Sequence, residues 1–528
     1  MDEKRGKEMK KYLVPAALLI GITWDILFWK KIPGVSFPIF VGVCLVAGDI
    51  LLRSEKLPLS RRSLFLIALI LFFSIMTFIR KDVLTSFLNY SLSLSFFFLL
   101  SATCQGGLWI SYSLFDYIVN SLRLFGNMFA LPWKFLAEPS ASRKKETFKQ
   151  QPSLALQIAR GLLLALPILA IFTLLLSSAD LVFAQKFEDF ISYLRIENLG
   201  EFIAHGIVIF SIAYFYIGII RYAAKRAGKE KLIGIEKPVI IPFLGFTEAS
   251  VVLGSVIILF TAFVFIQFRY LFSGEMYIDS SGFTYAEYAR RGFGELVAVA
   301  FISLLLIQSF RAILKHKNAN QRKLFARIVI ALVVLVLVIL ASAFQRLSLY
   351  ESAYGFSSLR TYAHVFIIWL GLLLVGVVIL EFLKQTRAFA NLVLLVMVGF
   401  ALTLNMLNVD AFIVRQNIKR AAAGQELDSS YLARLSSDAI PALVSAFQSE
   451  TQTEDIKESV GAALACQRLA IENELLLRST WQSFHYSDWY AARQMSIIQE
   501  LLEGYQVVED DYIVEVVSPR GKTIACQY

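Results

Sequence analysis

The densest set of residues able to do chemistry lies at 284–295, in the segment TYAEYARRGFGE. Thr284 and Glu287 have the spacing of a capping box, in which the hydroxyl and the carboxylate each satisfy a backbone amide of a helix's first turn. Glu287, Arg291 and Glu295 then fall at i, i+4 and i+8, an acid–base–acid ladder on one helix face, with Arg290 beside it. A second segment, LYESAYGFSSLRTYA at 349–363, carries Glu351, Tyr354, Arg360 and Tyr362. Arg269 and Arg346 each stand where the chain leaves an apolar run to enter one of these segments. Two readings follow. In the first, helix caps and ion pairs at a membrane edge account for these residues. In the second, arginines from two loops converge on an anionic group, because the guanidinium fork fits phosphate or carboxylate in a bidentate way. None of these residues is expected to be catalytic.

Other chemistries find little support. The four histidines, His205, His316, His364 and His485, form no HExxH motif and no cluster with cysteine at zinc spacing, so neither a metal nor another cofactor is expected. A phosphate-binding GxxxxGK[ST] loop and a nucleophile-elbow GxSxG are both missing. Gly292 and Gly294 resemble part of a glycine-rich turn but open an apolar run. Acids inside apolar runs are few, namely Asp25, Asp49 and Glu381. Such acids are costly in a bilayer and raise a functional question. Asp25 is the most interior, and a solvated or paired acid is the preferred reading over a proton relay.

The elements that must position these residues are membrane helices. The chain has 528 residues, 57% of them hydrophobic and only 17% charged, against about 25% charged in ordinary soluble chains. Eleven apolar runs are long enough to cross a bilayer, near 13–29, 34–52, 63–80, 83–103, 157–178, 202–221, 249–268, 293–314, 326–344, 363–383 and 388–407. The first follows a basic start without a small-residue cleavage site and is expected to remain as a span. With the N-terminus inside, the cytoplasmic segments hold 29 Lys and Arg and the outer loops 11. That bias sets the N-terminus inside and the tail outside. The formal charge of +10 thus reflects topology, and no nucleic-acid partner is expected.

The sequence predicts an all-α polytopic membrane protein with about eleven transmembrane helices and a mostly helical C-terminal extramembrane domain. Four spans occupy 1–104. Residues 105–156 are cytoplasmic, with an amphipathic interfacial segment at 109–136 whose aromatic residues sit at headgroup depth. A seven-span core with repeated outer loops fills 157–407, and an extracytoplasmic tail fills 408–528. A second surface helix is expected at 181–195. Helical patterns occur at 435–447, 454–475 and 482–502, with Pro441 at a first-turn position and a hairpin at 505–517. The tail is net acidic, with 17 acidic against 10 basic residues. Cys466 and Cys526 both lie there and can pair if it is outside, although sequence does not fix their separation. The segments GFTYAEYARRGF (282–293) and GFSSLRTYAHVF (355–366) align at a period of 73 residues, which favours duplication of a two-span unit.

The segments SSADLVF, GFTEASVVLG, QFRYLF, TYAEYARRGFGEL, LYESAYGFSSLRTYA and NVDAFIVRQNI together resemble the uncharacterised bacterial multi-pass family called domain of unknown function 4173, a relative of family 4153. The resemblance covers roughly 160–445. It implies a bacterial cytoplasmic-membrane protein and supplies no catalytic residues. The expected function is sensing, binding or transport of a small ligand or lipid at the outer face, with the bilayer and an anionic lipid or solute as partners. The alternatives are a membrane-integral enzyme acting on a lipid-linked or envelope substrate, or a structural partner of a signalling or envelope complex that docks through its tail.

Overall fold

The computed structural model describes residues 2–105, 107–137, 199–226, 241–272, 293–315, 318–478, 480–510 and 513–526, with a few single positions between 176 and 186 and at 232. Ten helices among the described residues are long and apolar enough to cross a membrane. They lie in α1 (Asp2–Phe28), α2 (Ser36–Ser54), α3 (Arg61–Ile79), α4 (Val83–Thr103), α6 (Leu199–Arg226), α7 (Phe246–Phe272), α8 (Phe293–Ile313), α9 (Ala319–Tyr354), α10 (Ser358–Phe382) and α11 (Phe389–Leu407). Each matches an expected span. The expected span at 157–178 and the surface helix at 181–195 fall almost wholly outside the described residues. Outward-facing Ile258, Leu259 and Phe265 are largely exposed, as expected of side chains that meet lipid and not a protein core.

Helix α5 (Leu114–Ala137) occupies the amphipathic segment. Phe115, Ile118, Leu122, Phe125, Phe129 and Trp133 are exposed at helical spacing, while Asp116 and Asn120 are buried. Its start is a capping box, with Ser113 N donating to Asp116 Oδ2 at 2.8 Å and Asp116 N to Ser113 Oγ at 3.3 Å. An apolar outward stripe beside a polar inward one is the pattern of an interfacial helix.

The chain divides into two units, residues 1–29 with 128–221, and 30–127 with 222–528. In the first, α1 and the N-terminal part of α6 approach closely, and a side chain at Gly21 would collide with the Ile209 carbonyl. Asp25 is paired there with His205, whose Nδ1 lies 2.7 Å from Asp25 Oδ1. Trp29 lies over the imidazole at 4.1 Å between centroids and donates from Nε1 to Glu201 Oε1 at 3.2 Å.

In the second unit, one core is built from Leu66, Ile70 and Phe73 of α3 against Leu92 and Phe96 of α4. Another joins α7 to α10 through Leu253, Ala300, Val333 and Leu374. At one end of this unit, Leu52, Cys104 and Ala223 pack together, so α2, α4 and α6 finish on the same side. At the same end Ser60 N donates to Cys104 O at 2.9 Å, and Arg311 pairs with Glu381.

At the opposite end the chain continues into α12 (Val409–Ala422), α13 (Ser429–Ala433), α14 (Ile440–Gln448), α15 (Glu454–Leu477) and α16 (Tyr486–Ile497). Pro441 occupies the first turn of α14, where a missing amide costs nothing. The tail core of Ile413, Leu443, Val460, Leu464 and Ile498 also contains Val365 of α10 and Leu404 of α11. The apolar interior of the tail therefore runs without a break into two spans. The expected hairpin is present as β1 (Gln506–Asp510) and β2 (Ile513–Val517), antiparallel, with Val508 opposite Glu515. A third strand, β3 (Thr523–Cys526), completes a meander. Cys466 and Cys526 are bonded, with Cα atoms 5.4 Å apart, and tie β3 to α15.

Candidate functional site

The α9–α10 turn is built around Gly355, whose φ of +82° favours glycine, and where a side chain would also meet Arg420 Nη1 at 2.7 Å. Asn417 of α12 closes the turn like a short strand partner, accepting from Phe356 N at 2.8 Å and donating to Phe356 O at 2.9 Å. Ser358 N donates to Tyr431 OH at 2.7 Å. The turn is thus held by the tail and not by its own helices alone.

Two arginines converge on this turn. Arg360 lies over the Tyr350 ring at 4.1 Å and donates from Nη1 to Tyr354 O at 3.3 Å and to Gly355 O. Arg420 donates from Nε and Nη2 to Ser352 O at 3.2 and 3.1 Å, and from Nη2 to Ala353 O at 3.2 Å. The carbonyls at a helix C-terminus lack intrahelical donors and carry partial negative charge, so cations suit them. Burial first, and the charge of Arg360 second, lower the Arg420 guanidinium below its ordinary pKa. A guanidinium has five N–H donors. Among the described residues, these bonds leave Arg360 Nε and Nη2 and Arg420 Nη1 without a protein acceptor, and no carboxylate pairs with either group.

Beneath the turn, Glu351 is buried and its Oε2 lies 2.9 Å from His364 Nδ1. His364 Nε2 is 3.2 Å from Ser348 Oγ. Carboxylate, imidazole and hydroxyl in this order resemble a nucleophile-activating relay. Two features oppose that use. Ser348 Oγ also donates to its own helix at Phe344 O, 3.0 Å away. The nearby loop amides are engaged: Gly355 N by Glu351 O, Phe356 N by Asn417 and Ser358 N by Tyr431, so they form no oxyanion hole.

A second charged cluster surrounds the α3–α4 turn. Lys81 Nζ lies 2.7 Å from Asp488 Oδ1 and 3.1 Å from Glu474 Oε1, and Lys81 N donates to Asp438 Oδ2 at 2.8 Å. Arg478 Nε lies 2.6 Å from Glu474 Oε1 and 3.4 Å from Asp488 Oδ2. Ser437 and Ser487 donate to Asp488 and Asp438 at 2.6 and 2.7 Å. Ser436 donates to Asp410 from Oγ at 2.6 Å, and Tyr362 OH donates to Asp82 at 2.6 Å. Burial raises Asp410 to about 6, with Asp82 and Asp438 adding repulsion against the bonds from Ser436. Burial likewise raises Asp438 and lowers His485 to about 4. Salt bridges and hydrogen bonds hold Glu474 below its usual value despite its partial burial.

The residues singled out in the sequence are divided by the structure. Arg360 and Tyr354 meet at the α9–α10 turn, with the Tyr354 ring 5.1 Å from that of Tyr350. Glu351 lies below it, paired with His364, and Tyr362 belongs to the second cluster. Arg346 is half-buried one turn before Tyr350, and Glu295 is exposed in the first turn of α8. Arg269 falls in α7, and nothing further is described of its side chain. Glu287, Arg290 and Arg291 lie outside the described residues. Asp25 belongs to the other unit. Sequence reasoning missed Arg420, Asn417, His364 and the Lys81–Asp488 cluster. The segment NVDAFIVRQNIKR at 408–420, with acid, amide and arginine spaced along one short helix, was the available signal. No group of His, Cys, Asp and Glu among the described residues is arranged to hold a metal ion.

A family model described as a domain of unknown function, DUF4153, matches residues 67–446. That range contains both clusters' membrane-side residues and the tail as far as α14. No curated protein and no solved structure matches the chain.

Proposed function

The chain belongs to the DUF4153 family of multi-pass membrane proteins, and from that premise we propose that it binds an anionic group, a lipid headgroup or a small solute, at the face carrying its tail. The observation that carries this reading is the pair Arg360 and Arg420, which approach each other with carbonyls and one ring as partners and with donors left over. An anion bridging both groups would offset their repulsion and fill those donors. Because Arg420 belongs to the tail helix and Arg360 to a span, occupancy would join tail to membrane core, which suits sensing.

The test is thermal unfolding of the full chain in detergent with phosphatidylglycerol, inorganic phosphate or phosphatidylcholine added. Ligand at a hundred times its Kd stabilises by about 2.7 kcal/mol. Phosphatidylglycerol is expected to raise the Tm of the wild type and phosphatidylcholine to leave it unchanged. Arg360→Gln and Arg420→Gln should lose the shift. A response to inorganic phosphate as well would mark a soluble anion as the ligand. Equal shifts in all three proteins would overturn the reading.

The Glu351–His364–Ser348 relay favours a second reading, an enzyme acting on a lipid-linked or envelope substrate. It predicts fluorophosphonate labelling of the wild type that Ser348→Ala abolishes. Absence of labelling in the folded wild type would count against it. A third reading, docking of a signalling or envelope partner, rests on the net acidic tail alone.

The proposed setting is a bacterial cytoplasmic membrane with the N-terminus inside and the tail outside, as resemblance to family 4173 and the loop charge bias suggest. The bonded Cys466–Cys526 pair supports it, since disulfides persist in oxidising compartments. A reporter active only outside the cytoplasm should work when fused after residue 420 and fail near residue 230. The reverse pattern would invert the topology.

A further inference from the structure

The tail's large exposed apolar side chains are unevenly placed. Among the described residues, none of the exposed large hydrophobics falls between 409 and 474. From 475 onward they recur, most densely in 475–490, with Leu476 76%, Leu477 68%, Trp481 59% and Trp489 43% exposed, and then at Ile497 and Leu501. Tyr486 stacks on Tyr490 at 5.9 Å, and Arg493 lies 5.8 Å from the Trp489 ring. These are aromatic side chains with polar tips beside leucines and a cation. Such residues collect at the boundary between hydrocarbon and water.

The segment is pinned where a span begins. Val35 N donates to Phe484 O at 2.9 Å, and Arg478 Nη1 to Pro33 O at 3.1 Å. Gly34 admits this contact, since a side chain there would collide with the Phe484 carbonyl and the Ser483 backbone. One residue after Val35, α2 starts, and its Ile39, Val43, Val46 and Ile50 form an exposed apolar side, as a span that meets lipid would. On the other flank, Lys81 at the end of α3 holds Asp488 and Glu474. The exposed leucines and tryptophans are therefore held near the tail-side ends of α2 and α3, beside the exposed apolar face of α2.

We infer that residues 475–490 are a membrane seat, whose Leu476, Leu477, Trp481 and Trp489 enter the headgroup layer of the leaflet from which α2 and α3 emerge. The tail would then lie down on the bilayer at this side instead of standing clear of it. The occupant is lipid: burial of a leucine or aromatic side chain in the interface contributes in proportion to the apolar area removed from water. The contacts to Pro33 and Val35 fix the depth. The inference does not depend on the anion site at Arg360 and Arg420.

Nitroxide labels test it on the full chain, in a Cys44→Ala/Cys104→Ala background that keeps the Cys466–Cys526 bond. Leu476→Cys, Trp489→Cys and the solvent control Ala423→Cys are labelled and reconstituted in phosphatidylethanolamine–phosphatidylglycerol vesicles. Collisions with oxygen and with a water-soluble nickel chelate are then compared. Oxygen should dominate at 476 and 489, and the chelate at 423. Chelate access at 476 equal to that at 423 would overturn the seat. Exclusion of both reagents at 476, the mark of a protein neighbour such as a second copy, would overturn it as well. Should the Trp489 variant fail to fold, the exposed position 476 decides alone.

Discussion

Two charged clusters lie at the tail end of the larger unit, and they are balanced in opposite ways. Around Lys81 and Arg478, each cation is matched by carboxylates of Asp488 and Glu474, and serine hydroxyls satisfy further oxygens. Around Arg360 and Arg420, two cations meet carbonyls and a ring. Burial differs too: Asp488 has 1% of its side chain exposed, whereas both arginines are only half-buried. A paired and buried cluster is costly to disturb, so it acts as a clamp, even with Asp488 Oδ2 and Asp82 Oδ2 making no hydrogen bond. An unmatched and partly open one keeps capacity for a ligand. On the proposed reading, the first cluster is structural and the second is the one that binds.

The clamp should show the largest effect. Lys81→Met leaves Asp488 and Glu474 with Arg478 as their remaining cation, and breaking a buried pair typically costs about 3–5 kcal/mol. Thermal unfolding of the full chain should fall accordingly, and limited proteolysis should cut the tail sooner. Lys81→Met combined with Asp488→Asn should recover part of the loss, because the uncompensated buried charge is gone. A cost for Lys81→Met as small as that of an exposed pair such as Lys457–Glu454 would erase the contrast between the clusters.

Asp410 sharpens the comparison through pH. Its folded value of about 6 lies above the ordinary carboxylate value of 3.8. A raised folded value means that the native state binds the proton more tightly, so ionisation is a burden above about pH 6. That burden fades as pH falls through the window from 6 to 4. Asp410→Asn should therefore stabilise the protein at pH 7.5 by up to about 3 kcal/mol, from roughly 1.4 kcal/mol per pKa unit. The advantage over wild type should shrink by pH 5. His485, lowered to about 4, costs the native state stability as pH falls below about 6.5, but it is present in both proteins and cancels in the difference. A gap between the two proteins that stays constant from pH 7.5 to 5 would show that Asp410 does not titrate in this window.

Much of the membrane architecture was legible because lipid imposes a long apolar run on every span, and each described span falls where its run does. Helix α5 was legible as an amphipathic helix, from the helical spacing of its exposed apolar residues opposite Asp116 and Asn120. The tail's helices were readable, and β3 was not: TIAC is too short to carry a strand pattern, and its partner β2 and the bond from Cys526 to α15 define it. The site was only half legible. Arg360 stood out by type, but its neighbour Arg420 lies 60 positions on, and only the packing of α12 against the α9–α10 turn joins them. Tyr362, read as part of the same loop, instead reaches Asp82 from a different turn, since its position on α10 points toward α4. Spacing within one helix is visible in a sequence, and convergence of separate segments is not.

The smallest expected effect bears most directly on the open cluster. Without ligand, Arg360→Gln and Arg420→Gln each remove bonds to helix-end carbonyls, at about 1 kcal/mol per typical net hydrogen bond. Each also relieves repulsion between the two guanidinium groups, which partly offsets that loss. The relief is available only once, so the double variant should be less stable than the sum of the singles predicts, by about 0.5 kcal/mol. With phosphatidylglycerol present, the sign should reverse. Either single variant would then already forfeit a bridging headgroup that needs both arginines, and the second substitution would cost little more. A double-mutant cycle measured by thermal unfolding, with and without that lipid, reads both signs. A coupling that keeps one sign under both conditions would mean that the arginines only cap α9, and the two clusters would then differ in burial alone.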